Sequence, residues 1–137
     1  MVGRELAQAG IDVFNARDSE AMRKLYRSDA TVTNPDSPSP MSVDEMISGF
    51  DISLSSFPDA SVSLGLVVAE GDSVAFEMTW TGTHEGPLLL PDGFELPATG
   101  RTVSFSVAVM LEMAEGLILR ERQYYDNLSI LDQLGVT

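Results

Sequence analysis

The chain has 137 residues, 44% of them hydrophobic, a formal charge of −13 and no cysteine. That length predicts one domain able to bury about two thirds of its unfolded surface, and the composition fits a globular rather than a disordered chain. Disulfides, thiolate catalysis and cysteine-based metal sites are excluded, and the acidity argues against nucleic acid and anionic membranes as partners. No apolar run reaches the roughly 18 residues of a membrane span, and Met1-Val2-Gly3-Arg4-Glu5 opens no signal-like apolar region. A cytoplasmic location is the simplest expectation. Lys24 is the only lysine, which leaves little room for Schiff-base chemistry.

Three helical segments come first. Leu6, Ala9, Val13 and Phe14 recur at helical spacing over residues 3 to 16. Asp18 or Ser19 can cap a short second helix whose inward residues are Met22, Leu25 and Tyr26. Residues 29 to 34 read as a short strand running into a proline-rich loop, 35 to 40. Ser42-Val43-Asp44-Glu45 is a capping box, followed by the stripe Val43, Met46, Ile47, Phe50 and Leu54, and Pro58 stops that helix.

From Ala60 the period changes to two. Strands are expected near 60–69 and 73–84, joined by Glu70-Gly71-Asp72, and near 101–113 and 117–126, joined by Ala114-Glu115-Gly116. Residues 85 to 100, with glycine and proline at 86, 87, 91 and 93, form a long loop of the kind that walls pockets. A short amphipathic segment ends on Gln133-Leu134-Gly135. Helices followed by long strands predict an α+β domain over residues 1–137, in which one curved antiparallel or mixed sheet wraps on about three N-terminal helices.

Several polar residues stand out. Asp126, at the inner end of the last expected strand beside Tyr124 and Tyr125, is a candidate desolvated general base; its alternative role is to cap the segment that begins at Asn127. His84 is the sole imidazole and sits at the mouth of the long loop, suited either to donating to a substrate carbonyl or to pinning the loop. In the strand near 101–113, Val103, Phe105, Val107, Val109 and Leu111 make one apolar face. The other carries Ser104, Ser106, Ala108, Met110 and Glu112 and faces either a cavity or water. Arg120 and Arg122 alternate in step with Tyr124 and Asp126. An internal arginine would depress a carboxylate pKa there, unless a twist or bulge turns the arginines to solvent. Tyr26 and Asn34 could donate to a substrate oxygen, with core packing and an Asn-Pro turn as their alternatives. Phe50, Met78, Trp80, Met110 and Tyr124 are candidate pocket-wall residues. One histidine among scattered carboxylates makes no transition-metal site.

Taken in order, Tyr26…Asp29-Ala30, Gly82-Thr83-His84-Glu85-Gly86, Pro97-Ala98-Thr99-Gly100-Arg101 and Gly116…Tyr124-Tyr125-Asp126…Leu131…Gln133-Leu134-Gly135 resemble the SnoaL-like polyketide cyclase family. That family lies in the nuclear transport factor two–like (cystatin-like) superfamily. The resemblance covers essentially the whole chain. It implies a cone of helices and curved sheet around a deep apolar pocket, a hydrophobic small-molecule substrate, commonly a homodimer, and no metal or organic cofactor. It implies proton abstraction from a polyketide by a last-strand aspartate, here Asp126, followed by intramolecular aldol closure. The cyclases carry a histidine on the preceding strand, where the resemblance puts Glu112. Alternatives within the superfamily are isomerisation, epoxide hydrolysis of the limonene-epoxide-hydrolase type, and non-catalytic binding of a lipophilic ligand or a partner.

Overall fold

The computed structural model describes residues 2–37, 39–90 and 92–136; Pro38 and Pro91 of the two expected loops, and Met1 and Thr137, lie outside them. Helix α1 (Gly3–Asn15) buries Leu6, Ala7 and Ile11; of the expected stripe only Leu6 is fully buried, and Ala9, Val13 and Phe14 are half-buried beside it. Asp18 caps α2 (Ser19–Arg23) by accepting from the Ala21 N–H at 3.0 Å. Strand β1 (Tyr26–Thr33) starts three residues before its expected position. Helix α3 (Val43–Ser56) opens on the expected capping box: Ser42 Oγ accepts from the Glu45 N–H, and Glu45 Oε1 from the Ser42 N–H. It buries Val43, Ile47 and Phe50 and stops two residues before Pro58.

The long strands β2 (Ser61–Glu70) and β3 (Ser73–Thr83) follow. The intervening loop carries a two-stranded ribbon, β4 (Leu88–Leu89) and β5 (Glu95–Leu96). Then come β6 (Thr102–Ala114) and β7 (Leu117–Tyr124). Glu115 (φ 56°) and Gly116 (φ 79°) both take positive φ, the requirement of a two-residue turn whose twist matches the strands it joins. Helix α4 (Asn127–Leu134) closes the chain, with Gly135 in the left-handed conformation at its end.

The five-stranded sheet has the order β1-β7-β6-β3-β2, antiparallel except that β1 pairs parallel with β7. This is the mixed, curved sheet that the alternation of periods predicts. Its inner face carries Val103, Val107, Val109 and Leu111, all buried, against α1 and the neighbouring loops. A second cluster joins Ile11, Phe57, Val62, Trp80, Val103 and Leu134, and a third joins α2, β1 and α3. No helix among the described residues is long and apolar enough to cross a membrane.

One register detail positions everything that follows. The β6–β7 ladder shifts between Glu112 and Met113, so Glu112 pairs with Arg120 while Met113 pairs with Ile118. Ile118 is buried from one side of this bulge, and Glu121 from the other. The bulge reverses the parity of β7, leaving Arg120 and Arg122 on the outer face.

Candidate functional site

The helices and the concave sheet face enclose a cavity of about 790 Å³. Protein interiors are packed with few voids larger than a water molecule, so a space of this size is a built feature of the fold. Its walls are mainly apolar: Leu6 and Ile11 from α1, Phe50 from α3, Met78 and Trp80 from β3, Phe105 and Val107 from β6. Leu88, Leu89 and Leu90 of the long loop also line it, in keeping with the pocket-wall expectation for that segment.

The polar groups are few and paired. Glu121 on β7 is 6% exposed, and its carboxylate accepts from Tyr26 Oη at 2.6 Å on Oε1 and from Gln123 Nε2 at 2.6 Å on Oε2. All three side chains line the cavity. Burial raises the Glu121 pKa above the ordinary carboxylate range, and the two hydrogen bonds oppose that rise in part. The Tyr26 hydroxyl is pushed well up by the same burial and by the charge of Glu121, so it remains a phenol donor. Nearer the loop after β1, Asp36 accepts from Tyr125 Oη and from Asn127 Nδ2, both at 2.6 Å. Tyr125 packs at a tilt against Phe105, ring centroids 5.5 Å apart, and burial, with Asp36 second, raises its pKa strongly. Asn34 Oδ1 accepts from the N–H groups of Asp36 and Ser37, making the expected turn, and the residue also lines the cavity.

The expected site residues divide accordingly. Tyr26, Asn34, Phe50, Met78 and Trp80 are brought together around the cavity. Asp126 is not among its lining residues: β7 ends at Tyr124, and the Asp126 carboxylate caps α4 by accepting from the Ser129 N–H at 3.1 Å. Its capping role is the one realised, because the strand stops two residues short of the expected end. Glu112 is corrected too. It lies on the outer face, 40% exposed, hydrogen-bonded by Arg120 at 2.6 Å and within 3.4 Å of Arg122; the hydrogen bond from Arg120 holds its pKa below the usual range. Met110 and Tyr124 point the same way, 39% and 55% exposed, since even-numbered positions of β6 and of β7 past the bulge face outward.

His84 is fully buried but lies outside the cavity lining. Its Nδ1 accepts from the Thr99 N–H at 3.2 Å, its N–H donates to the Arg101 carbonyl, and its carbonyl accepts from the Gly100 N–H. An accepting Nδ1 carries no proton, so the ring is neutral, and burial lowers its pKa in the same sense. The imidazole pins the two ends of the long loop. Gly86 assists there, because a Cβ at that position would collide with the Ser55 carbonyl of α3.

Glu121, Gln123, Tyr125 and Asp36 are site residues that the sequence reading passed over. A signal existed: two arginines at 120 and 122 mark an outer face, which assigns 121 and 123 to the inner one. Among the described residues no group of three or more histidine, aspartate or glutamate side chains could hold a metal ion.

The profile of the SnoaL-like polyketide cyclase family matches residues 4–134. The chain belongs to the SnoaL-like polyketide cyclase family. Among solved structures, IdmH from Streptomyces antibioticus, provisionally called a polyketide cyclase, is 25% identical with a TM-score of 0.82, covering 98% of this chain and 99% of its own. AclR from Streptomyces galilaeus, provisionally called a hydroxylase, is 24% identical at a TM-score of 0.84, covering 98% and 81%. A SnoaL-like protein from Jannaschia sp. CCS1, provisionally called a polyketide cyclase, is 21% identical at 0.84, covering 98% and 92%. The last two likenesses establish the fold alone. None of the curated proteins matches the chain. Family membership accords with this fold, in which the inner face of β7 presents Glu121 to the cavity and Asp126, beyond the end of the strand, caps α4.

Proposed function

We propose that this protein is a cofactor-free acid–base enzyme that cyclises or isomerises a hydrophobic, polyketide-like small molecule, with Glu121 as the general base. One observation carries the reading: Glu121 is the buried carboxylate of the cavity wall, and burial raises its pKa toward the range in which a base can both accept and return a proton near neutral pH. In the cyclising form, Glu121 takes a proton from a carbon between two carbonyls. The electron pair of that C–H bond becomes an enolate. The enolate carbon attacks a second carbonyl of the same molecule and forms the C–C bond, and the resulting alkoxide recovers the proton from Glu121. Nothing is gained or lost overall. Tyr26 and Gln123 hold the carboxylate in place, one on each oxygen. The apolar walls exclude water and fold a flexible chain close to its reacting geometry.

Epoxide hydrolysis finds less support, because no arginine lines the cavity to couple two acids. Glu121→Gln keeps the shape of the side chain and removes the base. Turnover of a matched polyketide is expected to fall about 10²- to 10⁴-fold with the thermal midpoint preserved. Undiminished turnover in that variant would end the assignment. Binding of the same compound without turnover by the unaltered protein would favour the ligand-binding alternative.

A further inference from the structure

The charge of the cavity wall is one-sided. None of the eight basic residues of the chain, nor His84, lines it, whereas Glu121 and Asp36 both do. The donors beside these carboxylates are already engaged. Tyr26 and Gln123 are committed to Glu121, and Tyr125 and Asn127 to Asp36. Each carboxylate oxygen keeps further lone-pair capacity, and the Gln123 and Asn127 amides each keep one N–H, so the charged capacity at both polar points is that of an acceptor while the remaining donors are neutral amides. An entering carboxylate would meet two like charges and no cation, and at buried Glu121 water screens poorly. An entering hydroxyl or ammonium group would meet waiting acceptors. Asp36 is exposed at the loop that follows β1, so an ammonium could reach it without losing all its hydration.

We infer that the cavity selects hydrophobic ligands bearing hydrogen-bond donors and no negative charge, taking a protonated amine at Asp36 and refusing free carboxylic acids. This rests on the proposed function only in taking the cavity as the substrate site, and it adds a charge class to that substrate.

Three compact probes of one shape test it: 1-adamantanemethylamine, 1-adamantanemethanol and 1-adamantanecarboxylate. Trp80 is the only tryptophan and lines the cavity, so its emission reports occupancy. The amine is expected to bind about fivefold tighter than the alcohol, and the carboxylate at least about tenfold more weakly than the alcohol. Raising ionic strength from about 0.05 to 0.5 M should shrink the advantage of the amine, since the contact at Asp36 is open to solvent. Asp36→Asn, which can still accept from Tyr125, should bring the amine down to the level of the alcohol. A carboxylate that binds as tightly as the alcohol overturns the inference, as does an amine advantage untouched by both salt and Asp36→Asn. Binding of none of the three at millimolar concentration overturns it together with the cavity reading. A Glu121→Gln protein with undiminished turnover would instead remove the base and leave this order of affinities standing.

Discussion

At the scale of single residues, the balance on Glu121 is between burial, which favours its protonated form, and two hydrogen bonds, which favour the carboxylate. If Glu121 is the base, kcat/KM should rise with pH along a limb placed above the ordinary carboxylate range, because only the deprotonated form abstracts a proton. Tyr26→Phe deletes the donor at 2.6 Å and should move that limb to still higher pH, which a pH–rate profile of the two proteins would reveal. A limb that moves to lower pH would contradict the assignment. Asp126 offers the contrast. Asp126→Ala is expected to cost about 1 kcal/mol of stability in chemical denaturation, the usual worth of a helix cap, while leaving turnover near that of the unaltered protein. The two carboxylates are five residues apart and of opposite parity, and the sequence favoured Asp126 because the family resemblance puts a last-strand aspartate there. Nothing local in the sequence marks Leu119 as the extra residue opposite Glu112 and Met113, so the outward turn of Arg120 and Arg122 stayed one of two alternatives there. Asn34, Phe50, Met78 and Trp80 were legible as pocket residues because they lie on a turn, a helix and a strand of regular parity, whereas Tyr26, expected on the second helix, reaches the cavity from the start of β1.

At the scale of elements, the helix ends marked by local caps were legible, at Asp18, Ser42 with Glu45, and Gly135, whereas the second helix stops at Arg23 and leaves Leu25 and Tyr26, expected on it, beyond its end. The β4–β5 ribbon was not, because strands of two residues carry no period. The loop holding this ribbon is tied at its base by neutral, buried His84. The folded pKa of this group is lowered, so the unfolded chain binds its proton more readily, and the stability it permits is present above about pH 6.5 and is lost as pH falls below that value. Protonation would also remove the Nδ1 acceptor of Thr99. Thermal midpoints measured from pH 7.5 to 5 should therefore fall more steeply for the unaltered protein than for His84→Gln, whose side chain does not titrate. Parallel curves would show that His84 does not govern the acid limb.

At the scale of the whole molecule, the outer sheet face is the counterpart of the cavity. Val68, Ala75, Met110 and Arg122 form one cross-strand row there, with Val68 and Met110 exposed and Tyr124 in the row beside it. We propose that this face joins two copies of the chain. Light scattering should give twice the 14.8 kDa of one chain, and Met110→Glu should return the monomer mass with the fold retained. A monomer mass for the unaltered protein would exclude that interface. The strand order has a separate consequence in time. Strand β1 is the first strand of the chain, yet its sheet partner is β7, the last. While the ribosome is at work, the first strand has only its bridge from Val32 to Met41 and waits for its sheet partner until β7 has cleared the exit tunnel. Tyr26 and Glu121 sit on those two strands, 95 residues apart, so the hydrogen bond between them cannot form before β7 has been made. A chain cut short before β7 would carry helices and a three-stranded remnant without Glu121 to receive the tyrosine, so the proposed chemistry would be withheld until β7 has been made.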